Sequence, residues 1–126
     1  MLFRSFSFSA AGMSEVKQFE VIVAAEPAEA FDLNGAAFVP EKPFITVGSG
    51  IELSPDKHLR MAGILLSQPK SGNGPLGTLT LQTSAAFTKA TQARIRILLF
   101  SIGPSSRERD RYEERTLNMG VEVKNP

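Results

Sequence analysis

QARIRILLFSI, residues 92–102, sets Ile95, Ile97 and Leu99 on one side of an extended chain and Arg94 and Arg96 on the other. A period of two marks a strand with one buried and one solvated face. From Leu98 onward the second face turns apolar as well, so the strand is expected to run from a solvated end into a covered interior.

The same alternation recurs on both sides of this stretch. FEVIVAA (19–25) sets Phe19, Val21 and Val23 against Glu20, Ile22 and Ala24, and LTLQT (79–83) sets Leu79 and Leu81 against Thr80 and Gln82. TLNMGVEV (116–123) places Leu117, Met119, Val121 and Val123 on one face. Shorter strand candidates are Phe3–Phe8, Ala37–Val39, Phe44–Val47 and His58–Leu66. Turn residues separate them at Asn34-Gly35, Gly48-Ser49-Gly50, Ser54-Pro55-Asp56 and PKSGNGPLG (69–77). The last stretch reads as a hairpin connection between His58–Leu66 and Thr78–Thr83. One helix candidate exists, EPAEAFD (26–32), with Pro27 in its first turn and Asn34-Gly35 as its stop. Short strands at close spacing predict an all-β fold, an antiparallel β-sandwich or jelly-roll-like small barrel, as a single domain over residues 1–126. Its core is expected to hold Val21, Val23, Leu79, Leu81, Ile95, Ile97, Leu99, Phe100, Leu117, Met119 and Val121.

Composition removes several chemistries. The 126 residues include no cysteine, so thiolate nucleophiles, disulfides and sulfur-ligated metals are excluded. Tryptophan is absent and Tyr112 is the only tyrosine, which weakens any sugar-platform reading of carboxylate pairs such as Glu26 and Glu29. Apolar runs such as Ile97–Phe100 fall far short of the roughly twenty residues of a membrane helix, and a soluble protein is expected. Net charge is only +1, yet its distribution is uneven. Lys57, Arg60, Lys70, Lys89, Arg94, Arg96 and Arg107 follow one another with no acid between them, whereas the preceding residues are predominantly acidic. Such segments either form a basic patch or pair with acidic strands beside them.

Each motif that resembles a chemical site fails on context. GNGPLG (72–77) matches the spacing of a dinucleotide loop but is followed by the β-branched run TLTLQT, and Pro75 removes an amide that a phosphate would need. SPDKH (54–58) brings together Ser54, Asp56 and His58, but residues two apart along one turn cannot flank an imidazole as a triad does. It reads instead as a turn in which Asp56 accepts from nearby amides. DLNG (32–35) lacks the later ligands of a calcium loop. No catalytic residue, cofactor site or metal site is therefore predicted.

Two regions are left as interaction surfaces. SSRERDRYEER (105–115) interleaves arginines with carboxylates that would repel phosphate, so nucleic-acid binding is not expected. With no apolar stripe, it reads as a solvated, salt-bridged approach to the last strand or as a rim for a protein partner. MLFRSFSFS (1–9) alternates and ends at Ala10-Ala11-Gly12, a soft joint that would allow residues 1–12 to act as an arm pairing across subunits, with a first strand of the domain itself as the alternative. The partner surface expected from these features comprises Phe3, Phe6, Phe8, Arg60, Arg94, Arg96, Arg109 and Arg111. The function expected is that of a non-enzymatic structural or assembly protein. It would form a homo-oligomer or dock on a larger particle, for example as a virion decoration or capsid-associated component. The alternative is a ligand-binding β module for glycans or peptides.

Overall fold

The computed structural model describes residues 3–105, 107–113 and 122–124. Strands take up 65% of the described residues, and the helix candidate at 26–32 is reduced to one 3-10 turn, Ala28–Ala30. The strands are β1 (Phe3–Val16), β2 (Gln18–Glu26), β3 (Phe31–Pro40), β4 (Ile51–Leu53), β5 (His58–Ile64), β6 (Lys70–Thr83), β7 (Arg94–Gly103), β8 (Asp110–Glu113) and β9 (Glu122–Lys124). They form two antiparallel sheets, one in the order β3-β6-β1-β9 and the other β4-β5-β2-β7-β8. The two pack face to face as a β-sandwich. No helix among the described residues is long and apolar enough to cross a membrane.

Alternation builds the core. Phe6, Phe8, Leu79, Leu81 and Phe38 point inward from the four-stranded sheet, and Phe19, Val21, Val23, Leu59, Met61, Ile97 and Phe100 from the five-stranded sheet. Phe19 sits between the layers, edge-on to Phe44 at 5.0 Å and to Phe38 at 6.1 Å. Its cross-strand partner is Gly63, where an added Cβ would lie 2.5 Å from the Phe19 ring, so the ring occupies the space of the missing side chain.

The sheets are tied together at a corner. Only Lys17 separates β1 from β2, although the two strands belong to different sheets. Its N–H donates to the Gly103 carbonyl at 2.9 Å, and its carbonyl accepts from the Leu65 N–H at 2.7 Å. Pairing is nested: β1 with β6 encloses β2 with β5.

Several expectations are corrected by the strand register. Leu99 does not enter the core. A bulge in the β2–β7 ladder skips Leu98, so that Val23 faces Ile97 while Ile22 faces Leu99. Beyond that bulge Phe100 takes the core side and Leu99 the outer face, where it is half-buried. Ile95 remains against the core and is also half-buried.

The stretch at 69–77 is no hairpin. β5 and β6 lie in different sheets, and from Lys70 onward the chain is a strand paired with β1. The ladder is irregular between Ala10 and Val16, where Gly12 and Gly72 both adopt positive φ. Side chains of β6 replace the missing backbone partners there. Asn73 Oδ1 accepts from the Gly12 N–H at 2.9 Å, and Ser71 Oγ accepts from the Glu15 N–H at 3.0 Å. Asn34-Gly35 is likewise a break in register inside β3 rather than a stop. Phe44–Val47 contributes a single bridge, Ile45 to Ile64, instead of a strand. Leu117, Met119 and Val121 lie outside the described residues.

Candidate functional site

The sandwich offers three features to a partner: two outer faces and a cleft. The outer face of the five-stranded sheet is a charge ladder. Its register aligns Glu52, Arg60, Ile22, Leu99 and Glu113 in one row, with Ala62, Glu20, Ser101 and Arg111 in the next. Arg60 donates to Glu20 at 2.8 Å and reaches Glu52 at 3.5 Å, while Arg109 approaches Glu20 at 3.7 Å. The bond from Arg60 holds the Glu20 carboxyl below the ordinary glutamate value of 4.5, with Arg109 and Arg111 adding positive potential against the opposing effect of burial. Reciprocally, the bond to Glu20 raises Arg60. Glu20 keeps only 13% of its side chain exposed.

Near the end of the same face, Glu26 accepts from Arg94 at 2.7 Å and from Arg96 at 3.1 Å. These bonds hold its carboxyl below the ordinary value. The basic run of β5 and β7 is thus laid against the acids of β2, which is the pairing alternative rather than an isolated basic patch. Ser101 is buried in this face, and its hydroxyl finds no hydrogen-bond partner among the described residues.

The outer face of the four-stranded sheet is of opposite character. β1 presents Phe3, Ser5 and Ser7, β6 presents Gln82, Thr80 and Thr78, and β3 presents Ala37 and Val39. The Ser5 and Thr80 hydroxyls meet across the strands at 3.4 Å. Charge stands at the borders of this three-strand block: the exposed Asp32 is opposite Gln82, and the register sets Lys124 and Glu122 of β9 opposite Ser5 and Ser7. Phe3 is 48% exposed and Val39 64%.

The third feature is a cleft of about 1020 Å³ where the sheets splay apart. One wall is the irregular stretch Ser9–Ser14 of β1 with Asn73–Pro75, and the other is formed by Phe100, Ile102, Arg109, Asp110 and Tyr112. Tyr112 stacks on Phe100 with ring centroids 6.2 Å apart.

The residues expected at a partner surface are therefore divided. Phe3 is exposed, but Phe6 and Phe8 are buried in the chain's own core, because β1 is an inner strand between β6 and β9. Here β1 pairs with β6 and β9 of its own chain. Arg60, Arg94, Arg96, Arg109 and Arg111 share one face, in company with Glu20 and Glu26. The segment holding Arg109 and Arg111 reaches the sheet edge itself: Asp110–Glu113 pairs with Leu99–Ile102.

SPDKH is a hairpin turn between β4 and β5, but Ser54, not Asp56, is the acceptor. Its hydroxyl takes the His58 N–H at 3.1 Å. Among the described residues no group of three or more His, Cys, Asp or Glu is placed to hold a metal ion. Sequence reasoning missed the uncharged face, although its signal is in the sequence as Ser, Thr and Gln alternating with Phe and Leu. Comparison with known proteins adds nothing to this geometry: no family model, curated protein or solved structure matches the chain.

Proposed function

We propose that this protein is a non-enzymatic assembly component that self-associates through the outer face of its four-stranded sheet, centred on an uncharged block around Thr80. The observation that carries the reading is the contrast between the two outer faces. On one, arginines and carboxylates satisfy each other within the chain. On the other, seven side chains without charge surround Thr80 and include two large exposed apolar groups, Phe3 and Val39, with charge only at the borders, at Asp32 and at Glu122 and Lys124. Burying this central block strands no charge within it, so association keeps the gain from the apolar groups. A homo-oligomer of this kind suits a structural component of a particle, a virion decoration being one example.

Sedimentation velocity over a concentration series tests the reading, with Thr80→Arg as the control variant. Self-association that Thr80→Arg weakens at least tenfold, with the denaturation midpoint preserved, is the expected result. A wild-type chain that remains monomeric up to about 1 mM, beyond the range of weak specific interfaces, refutes it.

The cleft favours a second reading, a module that binds a glycan or peptide. Its size is that of small-molecule sites, and its Phe100–Tyr112 pair offers an aromatic wall. Tyr112 is the only tyrosine in a chain without tryptophan, so its emission reports on the cleft directly. A saturable change on titration with an oligosaccharide or peptide panel supports this reading, and a flat response across the panel removes it.

A further inference from the structure

The cleft between the splayed sheets holds negative charge that the chain leaves without a counterion. Its charged lining residues are Glu108, Arg109 and Asp110. Arg109 approaches Glu20 at 3.7 Å, and Glu20 belongs to the outer face, where Arg60 donates to it. The carboxylates of Glu108 and Asp110 form no ion pair among the described residues.

Strand register turns Asp110 toward the cleft. Asp110 lies opposite Ile102, and Tyr112 lies opposite Phe100, whose ring is in the core. Residues two apart along a strand share a side, so Asp110 and Tyr112 project together, about 6.8 Å apart. Arg111 takes the other side, opposite Ser101. Tyr112 is 39% exposed and is backed by Phe100, so one aromatic surface stands beside one carboxylate. The facing wall, residues 9–14, contains no ionisable side chain. At its middle, Ala10-Ala11-Gly12 is small, and an added Cβ at Gly12 would meet nothing within 4 Å. The main chain of a ligand can approach closely there.

Resting on the second reading above, we infer that the cleft takes a basic peptide, with a lysine or arginine side chain held between the Asp110 carboxylate and the Tyr112 ring. The carboxylate attracts such a cation by charge and accepts its hydrogen bonds. The ring attracts it through the negative potential of its face, within about 6 Å of the centroid. Glu108 adds a second carboxylate to the lining, and Arg109 is drawn away toward Glu20. A glycan stacked on Tyr112 would leave both carboxylates uncompensated, and an acidic peptide would be repelled.

The probes are short peptides without aromatic residues, identical except for a central lysine, glutamine or glutamate, titrated against the full chain by Tyr112 emission and by calorimetry. The lysine peptide should bind saturably and at least tenfold more tightly than the glutamine peptide. Its affinity should fall as salt is raised from about 0.05 M to about 0.5 M. Asp110→Asn should reduce the preference at least fivefold, and Asp110→Lys should reverse it in favour of the glutamate peptide. Asp110 is exposed on a short edge strand, so an unchanged denaturation midpoint is expected of both variants and shows that the fold is kept. Equal binding of the lysine and glutamine peptides, or a preference that Asp110→Asn leaves intact, overturns the inference while the cleft remains a binding site. A response to oligosaccharides alone does the same. No change in emission or heat with any peptide or oligosaccharide removes the cleft reading itself.

Discussion

The two outer faces of this sandwich are built on the same strand geometry and cover the same core, yet they use side chains in opposite ways. Across the five-stranded sheet, Arg60, Arg94, Arg96 and Arg109 are held by Glu20 and Glu26. Across the four-stranded sheet, the central outward positions are Phe, Ser, Thr, Gln, Ala and Val, and charge is confined to the borders, at Asp32, Glu122 and Lys124. A ladder of exposed ion pairs contributes modestly to stability and keeps its surface hydrated. An uncharged face gains nothing from water beyond ordinary hydrogen bonds and can exchange it for another surface at low cost. Charge arrangement, more than fold, thus distinguishes the solvent side from the proposed contact side.

The largest effect should come from beneath both faces. Deleting residues 1–12 removes most of an inner strand together with Phe6 and Phe8, which supply about 1.5–3 kcal/mol each by burial alone. The truncated chain should show no cooperative denaturant transition. A folded, monomeric truncation would mean that β1 is dispensable, and the four-stranded sheet could no longer serve as the contact side.

Next in size is a paired test of the bulge at Leu98. Ile97→Ala should cost about 2–5 kcal/mol in a denaturant titration, as for other buried aliphatic truncations, whereas Leu99→Ala on the outer face should cost about 1. Equal losses would place both residues in the core and remove Leu99 from the charged face.

The smallest effect belongs to the ion pairs. Glu20→Gln should cost about 1 kcal/mol at neutral pH, within the range of partly exposed pairs. Glu20 and Glu26 bind protons less readily in the folded chain than in the unfolded one. Their contribution is therefore complete above the ordinary value of 4.5 and is lost as the pH falls through their lower folded values. The gap between wild type and Glu20→Gln should close on acidification over that window. A gap that widens would show that the carboxylate is not stabilised by its arginines.

Much of the architecture was legible because alternation is a direct record of burial. Val21, Val23, Leu79 and Leu81 fall in the core, as their period of two requires. What the sequence conceals is register. Ile97 through Phe100 are all apolar, so a one-residue bulge among them leaves no mark in composition. Glycines at 72 and 74 looked like a turn because glycine serves turns and irregular strands alike, and the side chains of Ser71 and Asn73 complete the ladder from a distance no local pattern reveals. The charged run after Pro104 is compatible with an edge strand, since edges tolerate charge that inner strands do not. Of the candidate site, the arginines of β5 and β7 were visible at once. That β2 carries the acids they meet emerges only when 60 is set beside 20 and 94 beside 26.

The nested pairing of β1 with β6 has a consequence during synthesis. Fifty-three residues lie between Val16 and Lys70, the first residue of its partner strand. At about 5–20 residues per second, that interval corresponds to roughly 3–11 s of translation. Until β6 follows, a strand bearing Phe3, Phe6 and Phe8 exists without its main neighbour. The nascent chain should therefore be most exposed to chaperones, and to pairing with copies of itself, before the second half of the protein has been made.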